Sequence, residues 1–292
     1  MKAFIYPNLN KANSREYVVK ACSILSKQSC EVLLSNEYCD IFGNSISAVY
    51  LQEENCFSEC DVVVAVGGDG TILKCAQMCS KHGKPIVGIN CGRLGFMASL
   101  EHSQIDDLAK LVSGEYTLSK RMLLSCVITD SDKDKFEYTA LNDVVISKTD
   151  GCKIADFEVS RNGHIISSLR ADGIIFSTPT GASAYSMSAG GPIIEPGMNC
   201  IEFTQICPHS LFARTMIFDT DSILTAKCFT GGAYMTNVTV DGNMIYKMSQ
   251  GDIITISKSD KYVEIIDING DSFFESVNKK LMQPLKDIST SG

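Results

Sequence analysis

The sequence predicts an α/β N-terminal domain with a doubly wound, mostly parallel sheet, followed by a β-rich C-terminal domain. Three observations carry this fold class. Residues 62–66 form an apolar, β-branched run closed by glycines, the mark of a buried parallel strand. Short apolar strands and helix-spaced segments alternate on either side of it. From residue 122 to 268 the pattern changes to short alternating segments separated by turn residues. The predicted division is residues 1–116 and 117–271, with an amphipathic stretch in 272–292 able to rejoin the first domain.

Taken in order, residues 2–6 read as a first strand. Asn13 and Glu16 have capping-box spacing ahead of a helix on which Val18, Val19, Cys22 and Leu25 share a face. Residues 31–34 read as a second strand, and 38–59 as a polar segment of weak helical character and linker-like composition. The run 62–66 then empties into Gly67, Gly68, Asp69, Gly70 and Thr71, and residues 72–81 read as a helix stopped by Gly83, Lys84 and Pro85. Residues 85–89 form another strand, ending in the turn Asn90, Cys91, Gly92, Arg93, Leu94, Gly95, Phe96; residues 105–111 are helix-like. The β-rich half offers strands at 124–129, 136–140, 144–147, 154–161, 164–169, 173–177, 236–240, 253–257 and 262–266. Asn162-Gly163 marks a hairpin between two of them.

Composition narrows the function. A chain of 292 residues that is 45% hydrophobic can bury the cores of two modest domains. A net charge of −8, without any run of four Lys or Arg, argues against nucleic acid or an anionic membrane as the main partner. An acidic protein that binds phosphates must concentrate its few cations locally. Residues 1–7 do not make a signal peptide and no eighteen apolar residues run together, so a soluble, cytoplasmic protein is expected. The 13 cysteines are odd in number and lack a Cys-x-x-Cys pair, which fits reduced, mostly buried thiols; Cys75 and Cys79 read as packing residues. His82, His102, His164 and His209 are scattered, and no structural metal is expected. Neither a Walker pattern nor Gly-x-Gly-x-x-Gly after a strand occurs.

Strand, glycine turn and helix together make a phosphate-handling geometry. Glycines let a polyanion approach without a Cβ in the way, while free N–H groups at the helix start point outward. Asp69 would repel phosphates unless a cation lies between them or it takes a proton from an attacking hydroxyl. It can equally be a helix N-cap in an ordinary turn. A second polar and glycine-rich cluster runs from Arg170 and Asp172 through Gly173 and the loop Thr178, Pro179, Thr180, Gly181, Ala182, Ser183, Ala184, Tyr185, Ser186, Met187, Ser188 to Gly191 and Pro192. Its small residues, hydroxyls and N–H groups suit a nucleoside, although such loops are often only solvated connections. Asn142 and Asp143 place an amide beside a carboxylate, suited to an adenine edge and a ribose diol, or simply to the start of a strand.

In content and order these motifs, together with Ile206-Cys-Pro-His-Ser210 and Val240-Asp-Gly-Asn243, closely resemble the NAD kinase family in its bacterial, ATP- or polyphosphate-dependent type. The resemblance covers residues 60 to 243. The glycine-aspartate turn alone is shared with diacylglycerol kinases, sphingosine kinases and phosphofructokinases; the Thr-Pro-Thr-Gly loop is far more specific. The resemblance implies a kinase that transfers the γ-phosphate of ATP to the 2′-hydroxyl of the adenosine ribose of NAD, giving NADP. Asp69 would accept the hydroxyl proton, and Gly67, Gly68, Gly70 and Thr71, with Lys74 less securely, would cradle phosphates. Mg²⁺ or another divalent cation would come with ATP, near Asp69, without a set of protein ligands of its own. Asp69, Gly70, Phe96, Asn142, Asp143, Ser183, Ala184, Tyr185 and Ser188 would bind NAD, and Lys153, Arg170, Asp172 and Asn243 lie where the family has further nucleotide contacts. Family members are usually homodimers or homotetramers associated through their β-rich domains.

The sequence departs from the family pattern in three places. Asn142-Asp143 stands where Asn-Glu is common, Gly181-Ala182-Ser183-Ala184-Tyr185 where Gly-Ser-Thr-Ala-Tyr is usual, and Cys91 where Thr is frequent. A lipid or sugar kinase sharing only the first turn is one alternative, and would need an acyl groove or a basic membrane face. A dinucleotide sensor without chemistry is another, in which a carboxylate facing phosphates gains nothing.

Overall fold

The computed structural model describes residues 1–92, 95–149, 154–210, 213–229, 236–270 and 272–282. The chain forms two compact units, Met1–Lys120 with Val263–Gly292, and Arg121–Tyr262.

In the first unit β1 (Lys2–Pro7), α1 (Ser14–Lys27), β2 (Glu31–Ser35), α2 (Cys39–Phe42), β3 (Val49–Leu51), α3 (Glu53–Glu59), β4 (Val62–Gly67), α4 (Asp69–His82), β5 (Ile86–Asn90), β6 (Leu100–Glu101) and α5 (Lys110–Ser113) follow in chain order. The strands pair in parallel in the order β5-β4-β1-β2-β3, with β6 on β5. Each residue of β4 is buried, as a parallel strand covered on both faces requires. On one face Val62, Val64, Val66, Val87 and Ile89 pack with Val18, Ala21, Cys22 and Leu25 of α1. Phe4 and Phe57 meet edge to face, with ring centroids 5.0 Å apart. The register pairs Gly67 with Asn90, so the turns that leave β4 and β5 start side by side at the carboxyl ends of the sheet.

Several local readings change. Asn13 is left-handed, with φ 59°, and its side chain does not cap α1, so the capping box suggested by the spacing does not form. The segment 38–59 is not a linker: it holds α2, β3 and α3. α4 begins at Asp69 rather than at Ile72, because Gly68 takes the N-cap position in an extended conformation.

The second unit continues through β7 (Thr117–Thr129), β8 (Lys135–Ala140), β9 (Asp143–Lys148), β10 (Ala155–Arg161), β11 (His164–Ala171), β12 (Gly173–Ser177), α6 (Tyr185–Ser188), β13 (Ile201–Ile206), β14 (Met216–Phe218), β15 (Leu224–Phe229), β16 (Thr236–Val240), β17 (Asn243–Met248) and β18 (Ile253–Asp267). An antiparallel six-stranded sheet runs β14-β13-β12-β9-β16-β17. Strands β11, β10, β15 and the start of β18 pair antiparallel beside it in sequence, and β7 pairs with β8. Asn162 and Gly163, both at positive φ, turn β10 into β11 as a two-residue hairpin. β18 is a single strand where the sequence suggests two, and from Val263 it belongs to the first unit, where Ile265 pairs in parallel with Ile86. The helix α7 (Ser272–Met282) also lies in the first unit.

One core fills the second unit, with Phe157, Phe176, Phe203, Ile146 and Ile174 buried in it. Phe176 and Phe203 stack at 5.4 Å across neighbouring strands β12 and β13. Phe203→Ala removes one of these rings from a fully buried site, and we expect it to lower the unfolding free energy by about 3–5 kcal/mol in urea titration. A loss below about 1 kcal/mol would contradict this packing.

Candidate active site

The site in the first unit is built by the two adjacent turns. Thr71 N–H and Ile72 N–H both donate to Gly68 O, at 2.7 and 3.3 Å, while Gly68 N–H donates to Thr71 Oγ1 at 3.3 Å. Thr71 is buried, with its hydroxyl oxygen accepting inside the turn, whereas Gly70 is exposed. The N–H groups of Asp69 and Gly70 keep no intrahelical partner among the described residues, as expected in the first turn of a helix. Lys74 is exposed in the second turn of α4.

Asp69 does not cap its own helix. Its Oδ2 accepts from Phe96 N–H at 2.7 Å and its Oδ1 from Met97 N–H at 3.1 Å. Two backbone amides of the turn after β5 thus fix the carboxylate while each oxygen keeps a lone pair for another proton. A Cβ on Gly95 would stand 2.2 Å from Asp69 Oδ1, so only glycine admits this approach. The turn is pinned at its start by buried Asn90, whose Nδ2 lies 3.1 Å from both oxygens of Glu101 and whose Oδ1 accepts from Gly92 N–H. Sequence reasoning passed over Asn90 and Glu101. Phe96 is half-buried, its ring centroid 6.2 Å from that of Phe273. Cys91 is half-buried, and burial pushes its thiol up to about 11, away from easy thiolate formation.

A second set of predicted residues gathers in the second unit. Thr178 N–H donates to Asn142 O at 2.9 Å, Thr178 Oγ1 donates to Leu141 O, and Gly181 lies so close that a Cβ there would stand 2.1 Å from Asn142 O. This packing seats the start of the loop, Thr178 to Gly181, against Leu141 and Asn142. Ser183 is buried and donates to Thr180 O, while Tyr185 and Ser188 are exposed. Asn142 Oδ1 and Thr180 Oγ1 are buried without a hydrogen-bond partner among the described residues. Native proteins seldom leave such atoms unpaired unless a ligand or water meets them.

Asp241, at φ 50°, organises this corner, although it is not among the site residues expected from the sequence. Its carboxylate accepts from the N–H groups of Leu141, Asn142 and Asp143 at 2.9, 2.8 and 3.2 Å. The Asp-Gly turn between two strands was its sequence signal. Asn243 is exposed, with Nδ2 3.4 Å from Asp241 O. Arg170 and Asp172 are engaged elsewhere: Arg170 pairs with Asp156 across β10 and β11, with Nε 2.6 Å from Oδ1, and Asp172 binds Lys148 Nζ at 2.6 Å. Lys153 lies outside the described residues. Among the described residues no three His, Cys, Asp or Glu side chains gather to hold an ion. No helix among them is long and apolar enough to cross a membrane.

Burial, and then the nearby carboxyls of Asp241 and Glu202, push Asp143 up to about 7. A raised value in the folded state means that folding takes up protons. The stability contributed by this group is full below its ordinary value near 3.8 and is lost as pH climbs through 7. Asp143→Asn should therefore flatten the fall in stability between those limits, measured by urea titration across pH. An unchanged slope would contradict the buried, partner-poor carboxyl.

Comparison with known proteins agrees with this architecture. A family model for the ATP-NAD kinase N-terminal domain matches residues 5–116, and one for the ATP-NAD kinase C-terminal domain matches residues 141–268. The NAD kinase of Thermoanaerobacter sp. (strain X514) is 33% identical over 288 residues, covering 97% of this chain and 99% of its own length. That of Acetivibrio thermocellus is 35% identical over 282 residues, covering 96% and 97%. Among solved structures, yeast NADH kinase complexed with NADH superposes with a TM-score of 0.88 at 22% identity, over 96% of this chain and 87% of its own. The Archaeoglobus fulgidus NAD kinase in complex with ATP gives 0.73 at 24% identity, over 96% and 98%. At these identities the structural likeness speaks for the fold. With both domain models matched in order over most of its length, the chain belongs to the ATP-NAD kinase family.

Proposed function

We propose that Asp69 is the proton acceptor in the reaction of this NAD kinase, which transfers the γ-phosphate of ATP to the 2′-hydroxyl of the adenosine ribose of NAD. What supports the assignment is its carboxylate, fixed by the amides of Phe96 and Met97 beside a glycine turn at the start of a helix. As the 2′-oxygen bonds to the γ-phosphorus, its proton passes to Asp69, the bond to the β-phosphate oxygen breaks, and ADP leaves with that electron pair. MgATP is the substrate, and its divalent cation offsets the charge of the phosphates. Such an ion needs no cage of protein ligands.

The backbone N–H groups of Asp69 and Gly70 bind phosphate oxygens in this reading, aided by the dipole of α4 and by Lys74. Gly67 and Gly68 contribute by their lack of side chains. Thr71 accepts from Gly68 N–H through its hydroxyl oxygen and so shapes the phosphate turn. Asn142 and Asp143 hold the nucleoside, Asn142 Oδ1 and Thr180 Oγ1 being buried acceptors in want of donors. Ser183 supplies its backbone, and half-buried Ala184 with exposed Tyr185 and Ser188 the wall. Arg170, Asp172 and Asn243 remain candidates for further nucleotide contacts, the first two having surface ion pairs that a ligand can exchange at little cost.

The first unit is in this view the phosphate-donor domain, and the second the NAD-binding and oligomerising one. The enzyme works as a homodimer or homotetramer in the cytoplasm. Incubation with MgATP and NAD, followed by enzymatic detection of NADP, tests the reaction. Asp69→Asn should cut turnover by about 10²–10⁴-fold while calorimetric NAD binding persists. Undiminished turnover would remove Asp69 from the base role.

A further inference from the structure

Glu202 lies on β13 within the six-stranded sheet and is fully buried. Its Oε1 accepts from the hydroxyls of Ser186 and Thr204, at 2.7 and 3.1 Å. Ser186 Oγ also lies 2.9 Å from Thr204 Oγ1, and Thr204 Oγ1 3.0 Å from Thr215 Oγ1, so the hydroxyls form one cluster around Oε1. Oε2 is buried too and has no hydrogen-bond partner among the described residues. An ionised carboxylate in that position would be an uncompensated charge, whereas a neutral acid is tolerable. Burial accordingly raises Glu202 above the ordinary carboxyl range.

The acid meets the loop at its most dependent point. α6 is a single turn of four residues, too short to hold itself. Ser186 is its buried residue, while Tyr185 and Ser188 are exposed. The turn is closed by Gly191 N–H donating to Ser186 O at 2.8 Å. A Cβ on Gly191 would stand 2.3 Å from Glu202 Oε1 and 2.4 Å from Ser186 Oγ, so the backbone leaving α6 packs directly on the acid.

We propose that Glu202 is a positioning residue for the dinucleotide: through Ser186 it fixes the turn that presents Ala184, Tyr185 and Ser188, and so sets the affinity for NAD without touching it. The proposal rests on the assignment of those three residues to NAD binding. Its effect is expected on the affinity for NAD, because Ser186 and Gly191 tie the acid to the loop assigned to NAD.

Steady-state kinetics with NAD and MgATP varied separately test it in wild type, Ser186→Ala, Glu202→Leu and Glu202→Gln. Ser186→Ala and Glu202→Leu should raise KM for NAD about tenfold, the cost of one hydrogen bond to a buried group. kcat and KM for MgATP should stay within about twofold. Glu202→Gln keeps the accepting oxygen and should bring KM for NAD back to within about threefold of wild type. If Glu202→Leu does not fold, Ser186→Ala decides alone. An active enzyme whose KM for NAD is unmoved in Ser186→Ala overturns the proposal, as does equal damage to both KM values and kcat. A wild type that makes no NADP overturns the functional reading itself and the proposal with it.

Discussion

The grip of two backbone amides on the Asp69 carboxylate is the constraint around which the first unit is arranged. For Phe96 N–H and Met97 N–H to reach it, the turns after β4 and β5 must begin side by side, which the pairing of Gly67 with Asn90 ensures. α4 must start at Asp69 itself, which extended Gly68 permits. Gly95 must lack a side chain, and Asn90 must hold the start of its turn against Glu101. The buried valines of β4 thus serve to deliver one carboxylate in one orientation. Preorganisation of this kind is how a kinase with little covalent chemistry to perform lowers its barrier.

In the second unit a carboxylate plays the opposite part. Asp241 gathers three consecutive amides and so shapes the corner that carries Asn142 and Asp143. Asp143, Asp241 and Glu202 are all raised by burial, and Asp143 is raised further by the other two. Apolar residues of similar volume would pack there at no such cost. Asp143 alone of the three is assigned to the ligand; Asp241 shapes its corner and Glu202 braces the loop, so stability is conceded here to hold the shape of a site.

Where local pattern and tertiary environment agree, the sequence was readable. The valine run, its glycine turn and the Asn162-Gly163 hairpin appear as the patterning implies. β13 was overlooked because Glu202, Thr204 and Gln205 interrupt its apolar character, and only the fold explains them: Glu202 and Thr204 satisfy one another and Ser186 inside the core. β15 and β17 alternate weakly and draw their stability from neighbours. Arg170 and Asp172, which the family resemblance places among nucleotide contacts, each pair with a charge that lies near only after folding. Conversely, nothing in the local pattern could announce that backbone amides some thirty residues away would orient Asp69.

The most direct test of that orientation is the kinetics of Gly95→Ala, since the added methyl would stand 2.2 Å from Asp69 Oδ1 and must displace either the carboxylate or the turn that holds it. We expect kcat for NADP formation to fall about a hundredfold, with KM for NAD and the melting temperature little changed, as misplacement of a catalytic group by a fraction of its contact distance requires. A Gly95→Ala enzyme with wild-type kcat would show that the amide grip on Asp69 does not govern the reaction.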